Sequence, residues 1–319
     1  MKKFKFLVAL TTRDNDYQQE QEIAAREMAR RLGVHVEIID ANNDAIGQSQ
    51  QLLQCIQSPA QRPDGIIVEP VGGTALPIVA RAAATAGIGW VVLNREIDYV
   101  AEISRTHNVP VFCITSNHDE IGRIQGRQFT ALLPKGGSVL YIEGPSNSSA
   151  ARLRTSGMYE TKAPNIQIRT LRGDWTVGSG QHAVEAWLRL STSVQTRVDL
   201  IASQNDAMAL GARKAFQELL SDIDSKRWLG LPYTGVDGLP KGGQKWFREG
   251  LLAATVVVPT NTDLAIEMLI KAFENNRPSR EHTSTVASSF PSLETLAARK
   301  AVALEEPSYA SINGSARGK

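Results

Sequence analysis

Cysteine is scarce in this 319-residue chain, with only Cys55 and Cys113. The two lie far apart in no metal-spaced cluster, which excludes a disulfide scaffold and leaves small core residues or free thiols. An excess of charge is also missing. Lys and Arg total 35 against 33 Asp and Glu, a net of +2. That provides no basic field for nucleic acid, although a local patch fits within a balanced total. No apolar stretch reaches the length needed to cross a bilayer. The five histidines, His35, His107, His118, His182 and His282, form no HExxH or close pair. A GxSxG elbow, a Walker loop and a suitably placed GxGxxG are all absent. PKGG occurs twice, from Pro134 and from Pro240, but without the surrounding phosphate-loop pattern.

What is present fits a soluble globular protein. The chain is 42% hydrophobic and 21% charged, and its length allows two domains or one large one. The start, MKKFKFLVALTTRDND, has a basic opening like a secretion signal. Its apolar run is short and no small-residue cleavage site follows, so a first β-strand explains it better. The expected location is periplasmic or extracellular where an export segment has been removed, and cytoplasmic otherwise.

Short apolar runs alternate with amphipathic stretches along the chain. KFLVAL leads to QEQEIAAREMARRLG, where Ile23, Met28 and Leu32 mark a buried stripe and Gly33 a stop. VHVEIID is a strand, DAIGQSQQLLQCIQ a helix, DGIIVEP a strand, and TALPIVARAAATAG a helix starting near Thr74. IGWVVLNRE returns to the sheet, and VPVFCITS follows it. A second series of the same rhythm runs from DEIGRIQGRQFTALL to AATVVVP, and DLAIEMLIKAFEN is a further amphipathic helix. This rhythm predicts an α/β chain of two similar doubly wound parallel-sheet domains facing each other across a cleft. The Ser-, Gly- and Ala-rich tail over 305–319 is expected to be mobile or laid loosely on the surface.

Ligands of parallel sheets gather outside the carboxyl ends of the strands, and those ends carry an unusual share of polar groups. LVALTT gives way to Arg13, Asp14, Asn15, Asp16 and Tyr17. WVVL ends in Asn94, Arg95 and Glu96, and VLYIEG leads into a Ser/Arg loop holding Arg152 and Arg154. IRTLRG ends in Asp174 and Trp175, LIAS in Gln204, Asn205 and Asp206, and YTGV in Asp237. Each has a plainer reading. Asn205 or Asp206 caps the next helix, Arg95 and Arg154 are surface residues, Asp237 forms a turn, and Trp175 belongs to the core. Six strand ends that together present guanidinium, carboxylate and amide groups beside an aromatic ring suit a polyhydroxylated ligand. The planar polar groups fix hydroxyls, and the ring covers C–H surface.

The blocks SSAARLRTSGM, ASQNDAMALGA, GVDGLPKG and LLAATVVVP carry a resemblance. The chain resembles the periplasmic-binding-protein type I superfamily, in particular the ribose-binding-like ABC-transporter solute receptors and LacI-type effector domains, over roughly residues 4–300. The resemblance implies ligand roles for Arg154, Asn205 and Asp237, for Asn94 and Arg95, for Trp175, and for Asp14, Asn15 and Tyr17 in the first loop. Arg152 supports the fold or the rim, and Arg13 and Glu96 are additions to the neighbourhood. Asn94 stands where the family commonly has Asp. Val258 stands where ribose-type members often have glutamine, with Thr260 or Asn261 as the candidate replacement. A related polyol, a modified sugar or a charged solute is therefore expected rather than ribose itself.

The resemblance also implies a three-strand hinge, crossed near Ser116–His118, Val257–Asn261 and Thr285–Ser289. One domain then takes residues 1–117 and 259–286, the other 118–258 and 287–304. The implied mechanism is closure of the two domains around the ligand with no covalent chemistry, by a monomer that needs no cofactor and no metal. The expected partner is a membrane permease. The alternative is a sugar sensor or effector domain coupled to a kinase or regulator, and the rival from another class is an enzyme acting on a small sugar.

Overall fold

The computed structural model describes residues 3–298 apart from 15, 61, 73, 96, 192, 194, 195 and 276–279. The tail over 305–319 lies outside the described residues. The chain opens with β1 (Lys5–Leu10), α1 (Asp16–Leu32), β2 (His35–Asp40), α2 (Ala45–Gln57) and β3 (Gly65–Val68). It continues through α3 (Pro77–Thr85), β4 (Gly89–Leu93), α4 (Val100–Thr106) and β5 (Val111–Ser116). The second series comprises α5 (His118–Leu132), β6 (Gly137–Glu143), α6 (Ser149–Thr161), β7 (Ile166–Arg172), α7 (Val177–Leu188) and β8 (Leu200–Ser203). Next come α8 (Asp206–Leu219), α9 (Asp222–Leu229), β9 (Tyr233–Asp237), α10 (Gly243–Arg248) and β10 (Ala254–Val257). The described chain closes with α11 (Thr262–Asn275), β11 (His282–Thr285) and β12 (Ser288–Phe290).

Among the described residues the strands form two six-stranded sheets, ordered β11-β5-β4-β3-β1-β2 and β12-β10-β9-β8-β6-β7. The first is parallel throughout. In the second, the edge strand β12 runs antiparallel to β10. Helices cover both faces of each sheet, so the chain is α/β with two doubly wound parallel-sheet domains. The chain leaves the first sheet at Asn117, returns through 258–261 to α11, and crosses once more at 286–287.

The period of two in a strand explains the layering. Leu7, Ala9, Ile66, Val68, Trp90 and Val92 face one way, onto Leu52 of α2, Val79 of α3 and Ile103 of α4. Phe6, Val8, Leu10, Ile67, Val91 and Leu93 face the other way, onto Ala25 and Met28 of α1 and Ile266 and Leu269 of α11. The second sheet repeats the scheme. Leu140 and Ile142 pack with Trp187, Phe216 and Trp228, whereas Val139 and Tyr141 pack with Phe129 of α5 and Met158 of α6. Burying each of these large side chains stabilises the fold by about 1.5–3 kcal/mol. The edge strands β2 and β7 read differently, alternating between more and less buried positions.

α5 and α6 approach so closely that glycine is required at their contact. A Cβ on Gly122 would stand 2.1 Å from the Arg154 carbonyl oxygen, and one on Gly157 2.0 Å from that of Asp119. The same contact therefore sets the positions of His118, which opens α5, and Arg154 on α6.

Three local expectations are corrected. In α1, Ile23 and Leu32 are each 40% exposed. The buried stripe runs instead through Gln18, Gln21, Ala25 and Met28, because the two glutamines satisfy buried polar groups. Gln18 Nε2 donates to Glu69 Oε2 (2.9 Å), and Gln21 Oε1 accepts from the backbone N–H of Asn261 (2.9 Å) and Thr262 (3.1 Å). Gly33 does end the helix, at φ +69°. α3 starts at Pro77 rather than near Thr74, since Leu76 takes a left-handed conformation and proline suits the first helical position. The short helices α4 and α9 and the Ser/Thr-rich strands β11 and β12 were not foreseen as elements.

Candidate functional site

In each sheet the strand order reverses once, between β1 and β3 and between β6 and β8. Such switch points open a crevice beyond the carboxyl ends of the strands. A cavity of about 320 Å³ lies there and is lined from both domains. It falls at the small end of the roughly 300–1,000 Å³ usual for ligand pockets.

From the second domain come Arg154, Trp175, Asn205 and Asp237. Arg154 is buried on α6, which Ser148 caps through a bond from the Ala151 N–H. Its guanidinium donates to the Gln204 carbonyl, its Nε has no partner, and its centre stands 5.5 Å from the Trp175 ring centroid. Trp175 is seated against Gly144, where a Cβ would fall 2.2 Å from the indole. Asn205 both caps a helix and lines the cavity. Its Oδ1 accepts from the Met208 N–H (2.9 Å) to cap α8, and its Nδ2 donates to the Trp175 carbonyl (2.8 Å). One amide hydrogen remains for a ligand. The neighbouring Asp206 is structural, accepting from Thr255 Oγ1 (2.7 Å) and the Gly238 N–H (2.8 Å).

From the first domain come Tyr17, Asn94 and Arg95. Tyr17 donates its hydroxyl to the Pro259 carbonyl (3.1 Å), tying α1 to a crossing segment. Arg95 donates to the carbonyls of Asn94 (2.7 Å) and Gly72 (3.3 Å). Asn94 engages two neighbours, donating to Glu69 Oε2 (3.1 Å) and accepting from Asn261 Nδ2 (2.7 Å). Asn261 therefore serves Asn94, and Thr260 bonds Asp263 (3.3 Å), so neither replaces a glutamine at the cavity wall. Val258 itself lines that wall.

Two first-loop candidates are not brought to the cavity. Arg13 is exposed and turned outward, its Nε 3.2 Å from Asp40 and 3.6 Å from Glu22. Asp14 is exposed, its backbone N–H bonded to Thr12 Oγ1 (3.1 Å). The loop turns into α1 before either side chain reaches the crevice. Asn15 and Glu96 lie outside the described residues. Sequence reasoning missed Glu69 and His118, both buried in the lining. Glu69 follows β3, so the strand-end rule that selected the other candidates would have found it.

Of the six non-glycine residues with positive φ among the described residues, Asn43, Asn94, Trp175 and Asp237 line this cavity. Asp237 lies furthest out, at φ +106°. Such conformations cost on the order of 1–3 kcal/mol and gather at functional sites.

The carboxyls beneath the cavity are strained electrostatically. Burial raises Asp237 well above the usual carboxylate range, with Arg154 opposing and Asp206 adding like charge. Burial pushes Asp206 up to about 7. A folded-state value above the unfolded one means that the folded protein holds a proton the unfolded chain has released. Stability of the ligand-free protein from this pair is therefore highest near pH 4 and falls as pH rises towards 7. Asp206→Asn is expected to flatten that fall, read as urea midpoints between about pH 4.5 and 7.5. An unchanged slope would assign it to other groups.

No group of three or more His, Cys, Asp or Glu that could hold a metal ion occurs among the described residues. No helix among them is long and apolar enough to cross a membrane.

A sequence model of the family described as "Periplasmic binding protein domain" matches residues 6–276. A Rhizobium meliloti protein provisionally named rhizopine-binding is 31% identical over 200 residues, 60% of this chain and 60% of that protein's length. The ribose import binding protein RbsB of Bacillus subtilis (strain 168) is 25% identical over 223 residues, 70% of this chain and 68% of its own. A crystal structure of a galactofuranose binding protein superposes with a TM-score of 0.77 at 21% identity, covering 94% of this chain and 99% of that one.

Proposed function

The chain belongs to the periplasmic binding protein domain family, and from that premise we propose that it captures a monosaccharide or related polyol between its two domains. One observation carries the reading. Arg95 and Arg154, Glu69 and Asp237 line one cavity, and among the described residues none of the four is ion-paired. Guanidinium only donates and the carboxyls offer acceptor oxygens, whereas each ligand hydroxyl does both. A polyol pairs all four at once, with Trp175 against its C–H face.

Glu69, Asn94 and Arg95 belong to one domain and Arg154, Asn205 and Asp237 to the other, so a ligand touching both favours a closed form about the three crossing segments. In this proposal the two domains comprise residues 1–117 with 259–286, and 118–258 with 287–304. The protein acts as a monomer outside the cytoplasmic membrane and delivers solute to a permease without altering it. The import role in the name of the Bacillus subtilis relative favours transport over sensing.

The test is thermal denaturation against pentoses, hexoses, deoxy and phosphorylated sugars, inositols and small polyols. A ligand at 100 times its Kd adds about 2.7 kcal/mol of stability, so a clear rise in Tm is expected with at least one polyhydroxylated compound. Stabilisation by amino acids and by none of these compounds would overturn the reading. The ligand that stabilises is also expected to shift tryptophan emission through Trp175, and Trp175→Phe should remove that shift. If the shift persists in Trp175→Phe, another tryptophan reports closure.

A further inference from the structure

His118 opens α5 immediately after the first crossing segment and lines the cavity beside Arg154. It is 6% exposed, and neither ring nitrogen has a hydrogen-bond partner. The Asn94 carbonyl, which accepts from Arg95 (2.7 Å), also lies near the ring and favours its N–H, but outside full hydrogen-bond geometry. Burial, with the charges of Arg154 and Arg95, holds the ring well below its ordinary value, so it is neutral at pH 7. A buried polar group left unmade is destabilising, and two on one side chain are not retained by packing alone. The guanidiniums nearby cannot accept from its N–H.

We propose that His118 is a specificity-determining ligand residue, one of its ring nitrogens hydrogen-bonding a single ligand hydroxyl. The inference rests on the polyol reading above and adds a requirement to it. The two nitrogens of a neutral imidazole point away from each other, so one ligand hydroxyl meets one of them, as donor or as acceptor according to the tautomer. Loss of that hydroxyl leaves the buried nitrogen unpaired, and this penalty discriminates against the corresponding deoxy compound.

Its position adds a second consequence. The residue stands at the joint between the domains, on the helix whose contact with α6 places Arg154. A ligand bonded to His118 is held at the hinge end of the crevice.

The probe is whichever compound of the panel above, D-ribose, D-allose, xylitol and myo-inositol among them, binds the wild-type protein most tightly by calorimetry, together with its monodeoxy counterparts. His118→Phe keeps a planar apolar ring and is expected to weaken the probe by about 10- to 100-fold. It should also lose discrimination against one deoxy counterpart, whereas His118→Gln, with an amide donor and acceptor, recovers part of both. In the wild type the His118 ring-nitrogen resonances, assigned by their loss in His118→Gln, are expected to shift on addition of the probe. A folded His118→Phe protein with unchanged affinity and discrimination overturns the inference, and ordered water then satisfies the ring. Failure of every probe to bind the wild type removes the polyol reading, and this inference with it.

Discussion

Replacing Arg154 with alanine is expected to weaken ligand binding by about 100- to 1,000-fold while leaving the protein folded. The guanidinium is buried and fixed on one side by the Gln204 carbonyl, and it stands over Trp175. Its Nε is unpartnered, so donor capacity is left for a ligand. Each hydrogen bond from a charged donor contributes about 1.5–3 kcal/mol, and 1.4 kcal/mol is tenfold in Kd. A second loss follows from electrostatics. Arg154 is the cation that opposes protonation of Asp237 and Asp206. Without it both carboxyls hold their protons to higher pH, and Asp237 presents one acceptor fewer to the ligand. Arg154→Lys keeps the charge but not the planar fork, and an intermediate affinity is expected. Calorimetric titration of the three proteins checks the order. Equal affinity in wild type and Arg154→Ala would place the ligand outside this cavity.

Much of this architecture was legible because it rests on period and position. KFLVAL, GWVVL and VLYIE are continuous apolar runs, and strands buried on both faces leave that signature whatever surrounds them. The strand-end rule reached Arg154, Asn205 and Asp237 because a parallel sheet delivers its carboxyl ends to one edge. It failed at Arg13 and Asp14, where the loop is long enough to turn side chains outward before α1 begins. Glu69 stands at the end of β3 within reach of that rule, whereas Gln18 and Gln21 were hidden for another reason. Their burial is justified only by partners distant in sequence, and an apolar-periodicity search scores them as surface. Asn94 shows the same limit at the site. Its amide reads as a ligand group by position, yet Glu69 and Asn261 engage both ends of it. Glu69 at the end of β3 accepts from Asn94 Nδ2 (3.1 Å), a pairing between strand ends that no local pattern encodes.

The glycine contact between α5 and α6 leads to the largest expected effect on stability. A methyl on Gly157 meets the Asp119 carbonyl at 2.0 Å and the Arg123 nitrogen at 3.0 Å. Both are helix backbone and cannot rotate away, so relief requires the helices to separate. Overpacking of this kind costs about 1–3 kcal/mol, sometimes more. For a domain of this size that lowers Tm by roughly 2–4 °C per kcal/mol. Gly157→Ala is therefore expected to lower the thermal transition of the second domain by several degrees, read by scanning calorimetry. Binding should suffer as well, because Gly157 lies one turn beyond Arg154 and its contact partner Asp119 is next to His118. Separating the helices moves a guanidinium and an imidazole apart across the same cavity. Gly178→Ala on α7 is the matched control, since a Cβ there meets nothing within 4 Å. It should be neutral or stabilise by up to about 1 kcal/mol, the ordinary gain of alanine over glycine in a helix. If Gly157→Ala matches Gly178→Ala in both Tm and affinity, the α5–α6 contact yields without strain. The positions of Arg154 and His118 are then set by the sheet edge rather than by the helix pair.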